Sequence, residues 1–443
     1  MRNVYRGKIC TFNQAATMQN LQQLAADELF ANNELLTFIR DGAMIVENGI
    51  IVDIGEFHVL KRRITAEDNL VDYGERLITP GFIDTHLHAM QTSINGHSVK
   101  TEDVTKWLND VVFPREMIFK SAISGQREYE LLLSYLFQNG ITAICAFLPS
   151  FYDGADVFFE MTNRYNMRVV MGNNMMTEGH EQLIISAKEN ILVSERLYDK
   201  WHKNGRASFA LTPRFALSCN EELFELCQGF MSDHPDSYFH THLAESKNEA
   251  NNTLSKFSWA KDNLAIYEKY DLVGNKSLFA HCIYLSPSEV LRLQERSAIW
   301  VSCPTSNCYT GVGMFNYAQA LQQNVKLTLA TDWGSGNTLS MFQVMDDAYK
   351  VGRLNSMYLS VLVRWFCTTL GAARALDLDQ YIGSLEVGKE ADFIVIDPSK
   401  NNCLLHRLES SYNLQDYLFN LISFGDDRII AATYIMGEKV YGI

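Results

Sequence analysis

The sequence predicts an α/β protein: a closed parallel (β/α)8 TIM barrel accompanied by a small β-sandwich whose strands come from both ends of the chain. Three observations lead there. At 443 residues the chain is too long for one ordinary domain, unless that domain is a large α/β barrel with something small attached. Its middle alternates short apolar segments with longer helical stretches, the pattern of a parallel sheet closed on itself. Its two ends read as β instead.

At the N-terminal end, Ala43 to Val46 and Ile50 to Ile54 flank Asn48-Gly49, a pair suited to a type I′ hairpin. At the C-terminal end, Ala391 to Ile396 and Ile429 to Met436 are rich in β-branched and aromatic residues. Neither end makes a convincing domain alone, so residues 1–76 and 385–443 are expected to combine, leaving 77–384 as the catalytic barrel. The eight predicted barrel strands are Phe82–His86, Ile141–Phe147, Arg168–Gly172, Ser208–Leu211, Tyr238–His242, Leu278–His281, Ala298–Cys303 and Lys326–Ala330. Ser286-Pro287-Ser288-Glu289, directly after the sixth, is a capping box with proline at the first helical position.

Composition excludes several classes of partner. Basic residues number 38 and acidic residues 52, a net charge of −14, which repels a phosphate backbone and an anionic membrane surface alike. No window approaches the roughly 18 apolar residues of a membrane span. Residues 1–14 contain no apolar run of signal-peptide length. The nine cysteines form no CxxC pair, and Cys145, Cys282, Cys303 and Cys367 sit in apolar stretches as small hydrophobes do. A reducing, cytoplasmic compartment is expected.

The chemistry is expected at strand ends. Asp84-Thr85-His86-Leu87-His88 closes the first barrel strand. Alternation puts both imidazoles on one face, about 7 Å apart along the chain, a spacing that suits one zinc ion. His242 closes the fifth strand with Glu245 three residues on, His281 closes the sixth, and Asp332 follows the eighth. The carboxyl ends of barrel strands form one mouth, so these residues converge. Each also has a bland reading: His281 as a satisfied core histidine, Asp332 as a helix cap. His240 shares a face with His242, so spacing leaves the choice between them open. His97, His180 and His202 lack a strand-end context and read as surface or loop residues.

Pro80-Gly81-Phe82-Ile83-Asp84-Thr85-His86-Leu87-His88 resembles the first-strand motif of the amidohydrolase superfamily. The resemblance narrows to guanine deaminases through Tyr5-Arg6-Gly7, Gln91, Trp201 to Arg206, Thr212-Pro213-Arg214-Phe215, His240 to Glu245, Phe279 to Cys282, Cys303 to Asn307 and Gly425-Asp426-Asp427-Arg428. It implies one zinc per chain held by His86, His88, His242 and Asp332, and so favours His242 over His240. It further implies Glu245 as proton shuttle, with His281 and Asp332 acting on the attacking water and the added hydroxyl. Gln91, Arg214 and Phe215 would hold the purine, against a floor of His88, His242, Glu245, His281 and Asp332. Hydrolysis of guanine to xanthine and ammonia by a homodimer follows from the same resemblance.

The chain departs from that family in three loops. Phe147 to Phe151 lacks a histidine expected after the second strand, Met176 to His180 lacks an Asp-x-Asn element, and Trp333 replaces a smaller residue. Phe151, His180 and Trp333 are therefore expected at the mouth, narrowing it, and 8-oxoguanine or a pterin such as isoxanthopterin are the alternative substrates. Arg214 is a donor only and suits the O6 carbonyl of guanine rather than the amine of adenine. A dinuclear amidohydrolase would need a bridging lysine where Thr212-Pro213-Arg214 stands, and a cytidine-type zinc deaminase would need a PCxxC signature. A non-catalytic scaffold on the same fold should have lost some of the ligand set, which is complete.

Overall fold

Alternating apolar residues near the N-terminus build β1 (Arg2–Phe12), β2 (Leu36–Glu47), β3 (Ile50–Glu56) and β4 (Asn69–Pro80). The computed structural model describes residues 2–24, 34–96 and 104–442; His97 lies outside them. Eight further strands follow: β5 (Phe82–His88), β6 (Ile141–Leu148), β7 (Arg168–Met175), β8 (Ala207–Pro213), β9 (Tyr238–Leu243), β10 (Ser277–His281), β11 (Ile299–Ser302) and β12 (Lys326–Leu329). The last three are β13 (Phe393–Ile396), β14 (Ile430–Ile435) and β15 (Glu438–Gly442). The chain divides into two compact units, one of Met1–Ile83, Ser134–Ala143 and Ser340–Ile443, the other of Asp84–Leu133 and Ile144–Leu339.

In the first unit, strands from both chain ends form one seven-stranded mixed sheet in the order β15-β14-β13-β4-β1-β2-β3. It rolls over its own apolar face, where Tyr5, Met44, Ile51, Ile78, Phe393 and Tyr434 pack together. The roll brings the two hairpin turns together. Ala391 N–H donates to the Gly49 carbonyl at 2.7 Å, and the Tyr5 hydroxyl donates to the Gly437 carbonyl at 2.8 Å. Asn48 and Gly49 have φ of 51° and 79°, the left-handed pair that the predicted type I′ hairpin requires. Helices Asn402–Glu409 and Leu414–Phe424 separate β13 from β14, each opened by an asparagine cap, Asn401 and Asn413. The sequence reading had only strands in this region.

All eight predicted barrel strands are present, in sequential order from β5 to β12. The barrel is nearly closed. Asp332 N–H donates to the His86 carbonyl at 2.9 Å and His88 N–H to the Trp333 carbonyl at 3.0 Å, so the segment after β12 pairs with β5. Every residue of β5, β6 and β9 is buried, as expected of parallel strands covered on both faces. Helix Pro287–Glu295 carries the predicted capping box at Ser286. Cys145, Cys282, Cys303 and Cys367 are buried free thiols. Among the described residues no helix is long and apolar enough to cross a membrane.

Backbone approach between β7 and β8 leaves no room for a side chain at Gly172, where an added Cβ would lie 1.8 Å from the Ala210 carbonyl oxygen. That contact is with main chain, so no rotamer change relieves it. Gly172→Ala is therefore expected to destabilise the barrel by at least about 2 kcal/mol. A thermal midpoint unchanged from the parent would show that the strands can part at no cost.

Candidate active site

The chemistry-bearing residues gather where the barrel strands end. His86 and His88 leave β5 on one face, with ring centroids 5.2 Å apart. Between them and the strand's start, Asp84 accepts from Thr331 N–H at 3.0 Å and from the Thr331 hydroxyl at 2.5 Å. This ties β5 to the segment that carries Asp332. Burial pushes the Asp84 carboxyl up to about 7, against these hydrogen bonds. His281 and Asp332 have φ of 70° and 51°, a left-handed backbone that non-glycine residues seldom adopt and that concentrates at functional sites.

One ligand atom from each of His86, His88, His242 and Asp332 lies within 4.8 Å of all the others. Asp332 Oδ1 is 3.2 Å from His86 Nε2 and 3.4 Å from His88 Nε2. His242 Nε2 stands 3.2 Å from His88 Nε2. The Nδ1 of His242 is 2.6 Å from the Arg214 carbonyl, which can only accept, so Nδ1 carries the proton and Nε2 presents a lone pair. His86 Nε2 and Asp332 Oδ1 are buried without a hydrogen-bond partner among the described residues. Burial pushes the His86 imidazole down to about 4 and His242 well below its ordinary value, favouring neutral, ligand-ready rings. Three imidazole nitrogens and a carboxylate oxygen gathered in one buried cluster fit a divalent metal such as zinc.

His240 stands behind this group, its Nε2 2.8 Å from His86 Nδ1. A second grouping of His86, His281 and Cys303 shares a member with the first. Burial holds the Cys303 thiol well above its ordinary pKa, which disfavours the thiolate a metal needs.

A cavity opens over His88, His242 and His281. Glu245 lies on its wall, with Oε2 4.0 Å from His281 Nε2, and burial raises its pKa. His281 Nδ1 is 2.8 Å from Asn307 Oδ1, so Nδ1 donates and Nε2 is turned toward Glu245 and Asp332. Glu249 backs Glu245, accepting the Glu245 N–H at 3.1 Å; burial, then the neighbouring Glu245, pushes its carboxyl up to about 7. Arg214 and Phe215 line the opposite part of the cavity.

Several site residues escape the sequence reading. Trp107 and Leu108 line the cavity, whereas the aromatic wall was expected from Phe151, His180 and Trp333. Phe151 packs into an apolar cluster with Trp107, Phe113 and Met176. The Trp333 indole N–H bonds Thr92 Oγ1 at 3.3 Å, and the His180 ring lies 6.3 Å from the Phe113 ring. Gln91 is buried beside the site, its Nε2 donating to Glu116 Oε1 at 2.6 Å. Glu116 also takes Arg214 Nη1 at 3.1 Å. Ser306 donates to Asp332 Oδ2. The motif Cys303 to Asn307, read as family sequence only, thus supplies partners for two predicted site residues.

Comparison with known proteins agrees with this geometry. Residues 77–440 match the amidohydrolase family. The chain is similar to the guanine deaminase of Escherichia coli (strain K12), 36% identical over 92% of each chain. The solved structure of an E. coli guanine deaminase superposes with a TM-score of 0.93 at 33% identity, covering 100% of this chain and 99% of that one. Guanine deaminase from Bradyrhizobium japonicum superposes with a TM-score of 0.92 at 30% identity over both full chains.

This buried cluster should make the fold depend on a cation. Dialysis of the purified protein against a chelator is expected to lower its stability by at least about 3 kcal/mol, with recovery on adding zinc. An identical thermal midpoint with and without chelator would mean the four groups do not share an ion.

Proposed function

This chain belongs to the amidohydrolase family, and within it to the guanine deaminases, and we propose that it hydrolyses guanine to xanthine and ammonia with one zinc ion held by His86, His88, His242 and Asp332. The observation that carries this reading is one cavity lined both by His88 and His242 with Glu245 and His281 and by Arg214. When bound, zinc supplies Lewis acidity and brings the pKa of water down to about 7.

The chain's own residues then divide the work. Arg214 donates to the O6 carbonyl, and Phe215 flanks the ring, which turns the amino-bearing C2 toward His281 and Glu245. Glu245 takes a proton from the incoming water and delivers it to the adjacent ring nitrogen as the oxygen bonds to C2. Its raised pKa suits a group that must both accept and give a proton near neutrality. His281 and Asp332 hydrogen-bond the added hydroxyl. Glu245 then takes the second proton from the added hydroxyl and passes it to the amino group; the oxygen becomes the C2 carbonyl as the C–N bond breaks, and ammonia leaves with the electron pair. Adenine places an amine where Arg214 needs an acceptor, so a buried donor would face a donor. The reading further takes the protein as cytoplasmic, on its cysteine usage, and as a homodimer, on the resemblance.

Glu245→Gln keeps the size and hydrogen-bonding capacity of the side chain but cannot shuttle protons. It is expected to retain about one zinc per chain while turnover falls at least about 10²-fold; loss of zinc would make the role structural, and parental turnover would move the base elsewhere. A substrate panel read by ammonia release tests the specificity. Guanine should lead, adenine and cytosine should be inert, and Arg214→Ala should lose guanine activity without gaining adenine activity. Faster release from isoxanthopterin or 8-oxoguanine would reassign the substrate within the deaminases, and activity confined to amides would overturn the reaction.

A further inference from the structure

We propose that Glu116 sets the charge of the purine site: its buried carboxylate cancels the Arg214 guanidinium, so the cavity takes a neutral carbonyl-bearing base and does not retain the more acidic product. This inference rests on the proposed conversion of guanine to xanthine. It makes Glu116 a specificity-determining, positioning residue that acts through Arg214.

Glu116 ends the short helix Phe113–Glu116 and is 1% exposed; Arg214 is 3% exposed. Arg214 Nη1 lies 3.1 Å from Oε1 and 3.3 Å from Oε2 of Glu116. The Phe113 ring, 4.9 Å from the guanidinium carbon, covers the pair. Gln91 Nε2 supplies a second donor to Oε1 at 2.6 Å, leaving the Gln91 amide oxygen buried and without a partner among the described residues. A carboxylate held this way by two neighbours on separate elements, away from solvent, faces the arginine with little screening between them.

The consequence follows from what an unbalanced arginine would bind. A buried guanidinium with no counter-charge is an anion site, because its attraction for a carboxylate or other anion is strong in a medium of low dielectric. Paired with Glu116 it remains a hydrogen-bond donor to the cavity but carries no net charge with its partner. Guanine is neutral, so the pair serves the substrate. Deamination turns C2 into a carbonyl and leaves a proton on the ring nitrogen N3, which ionises more readily than any N–H of guanine. The product is therefore the ligand that an unbalanced Arg214 would hold. The other charged or titratable groups facing the cavity are His88, His242, His281, Glu245 and Glu249; a change at Glu116 leaves all of them in place, so it isolates the balance at Arg214.

The test is direct binding to the zinc-loaded protein by calorimetry, using xanthine and hypoxanthine at a pH above the first ionisation of xanthine. Hypoxanthine keeps the six-position carbonyl and stays neutral there. Glu116→Gln retains the hydrogen-bond acceptor for Gln91 and Arg214 but removes the charge. Relative to hypoxanthine, that variant is expected to bind xanthine about tenfold more tightly than the parent does. Inhibition of guanine turnover by xanthine should strengthen in parallel, and Glu116→Asp, which keeps the charge, should not show the effect. Equal changes for both ligands would reduce Glu116 to a structural support and overturn the proposal. If the Gln variant does not fold, the parent decides alone. Its affinity for xanthine, corrected by hypoxanthine at each pH, should stay level or weaken as xanthine ionises, and tightening would overturn the proposal. Absence of ammonia release from guanine by the parent would instead remove the proposed function, while the binding ratio would still report the charge balance.

Discussion

The 3.2 Å approach of two buried imidazole nitrogens, Nε2 of His88 and Nε2 of His242, is the constraint on which the rest of the site depends. The Arg214 carbonyl enforces it by taking the only proton a neutral His242 carries. Adding His86 Nε2 and Asp332 Oδ1, both buried without hydrogen-bond partners among the described residues, makes a cluster that costs free energy until something positive occupies it. Ion binding then becomes part of folding stability as well as of chemistry. Burial, which holds the histidines neutral, prepares the same cluster for that ion. Stability and function are therefore not separable here.

Barrel closure is what brings the fourth ligand to the other three. Asp84 grips Thr331 through two oxygens, and the next residues pair with β5 through main-chain bonds at His86 and His88. The carboxylate at Asp332 thereby lands beside two histidines that precede it by more than two hundred positions in the chain. Left-handed backbone at Asp332 and His281 is the local cost of turning those side chains inward at strand ends. Asn307 and Ser306, from the helix that follows β11, fix the orientation of His281 and Asp332 in turn.

What the sequence made legible was whatever has a period or a local signature. The eight barrel strands follow from buried apolar runs, the hairpin from Asn48-Gly49, and the helix start from Ser286-Pro287. The converging histidines follow from knowing that parallel strands end at one mouth. Residues whose role comes only from long-range packing were not legible. Trp107 and Glu116 sit in a segment with no strand-end context, and nothing local distinguishes a glutamate that faces solvent from one that is buried against Arg214. Phe151 and Trp333 show the reverse error: bulk next to a functional loop was taken as a wall, yet their partners lie in an apolar cluster and at Thr92. Helices Asn402–Glu409 and Leu414–Phe424 were missed because the flanking β-rich segments suggested one unbroken β region.

Arg214 joins the two halves of the site into one object. Its carbonyl oxygen accepts from His242 Nδ1 and from His242 N–H at 3.2 Å, so its main chain orients a proposed metal ligand. Its guanidinium, at the other end of the side chain, is clamped by Glu116 and covered by Phe113. A shift at this residue would move the imidazole and the purine-facing donors together. That coupling gives a physical reason for the site to be built at the end of β8 and not on a free loop: positioning within a few tenths of an ångström needs a strand end held by the ladder behind it. It also places Glu116 outside the reacting atoms while leaving it able to govern them, because the charge on Arg214 is the one property of the donor that its main-chain anchoring does not set.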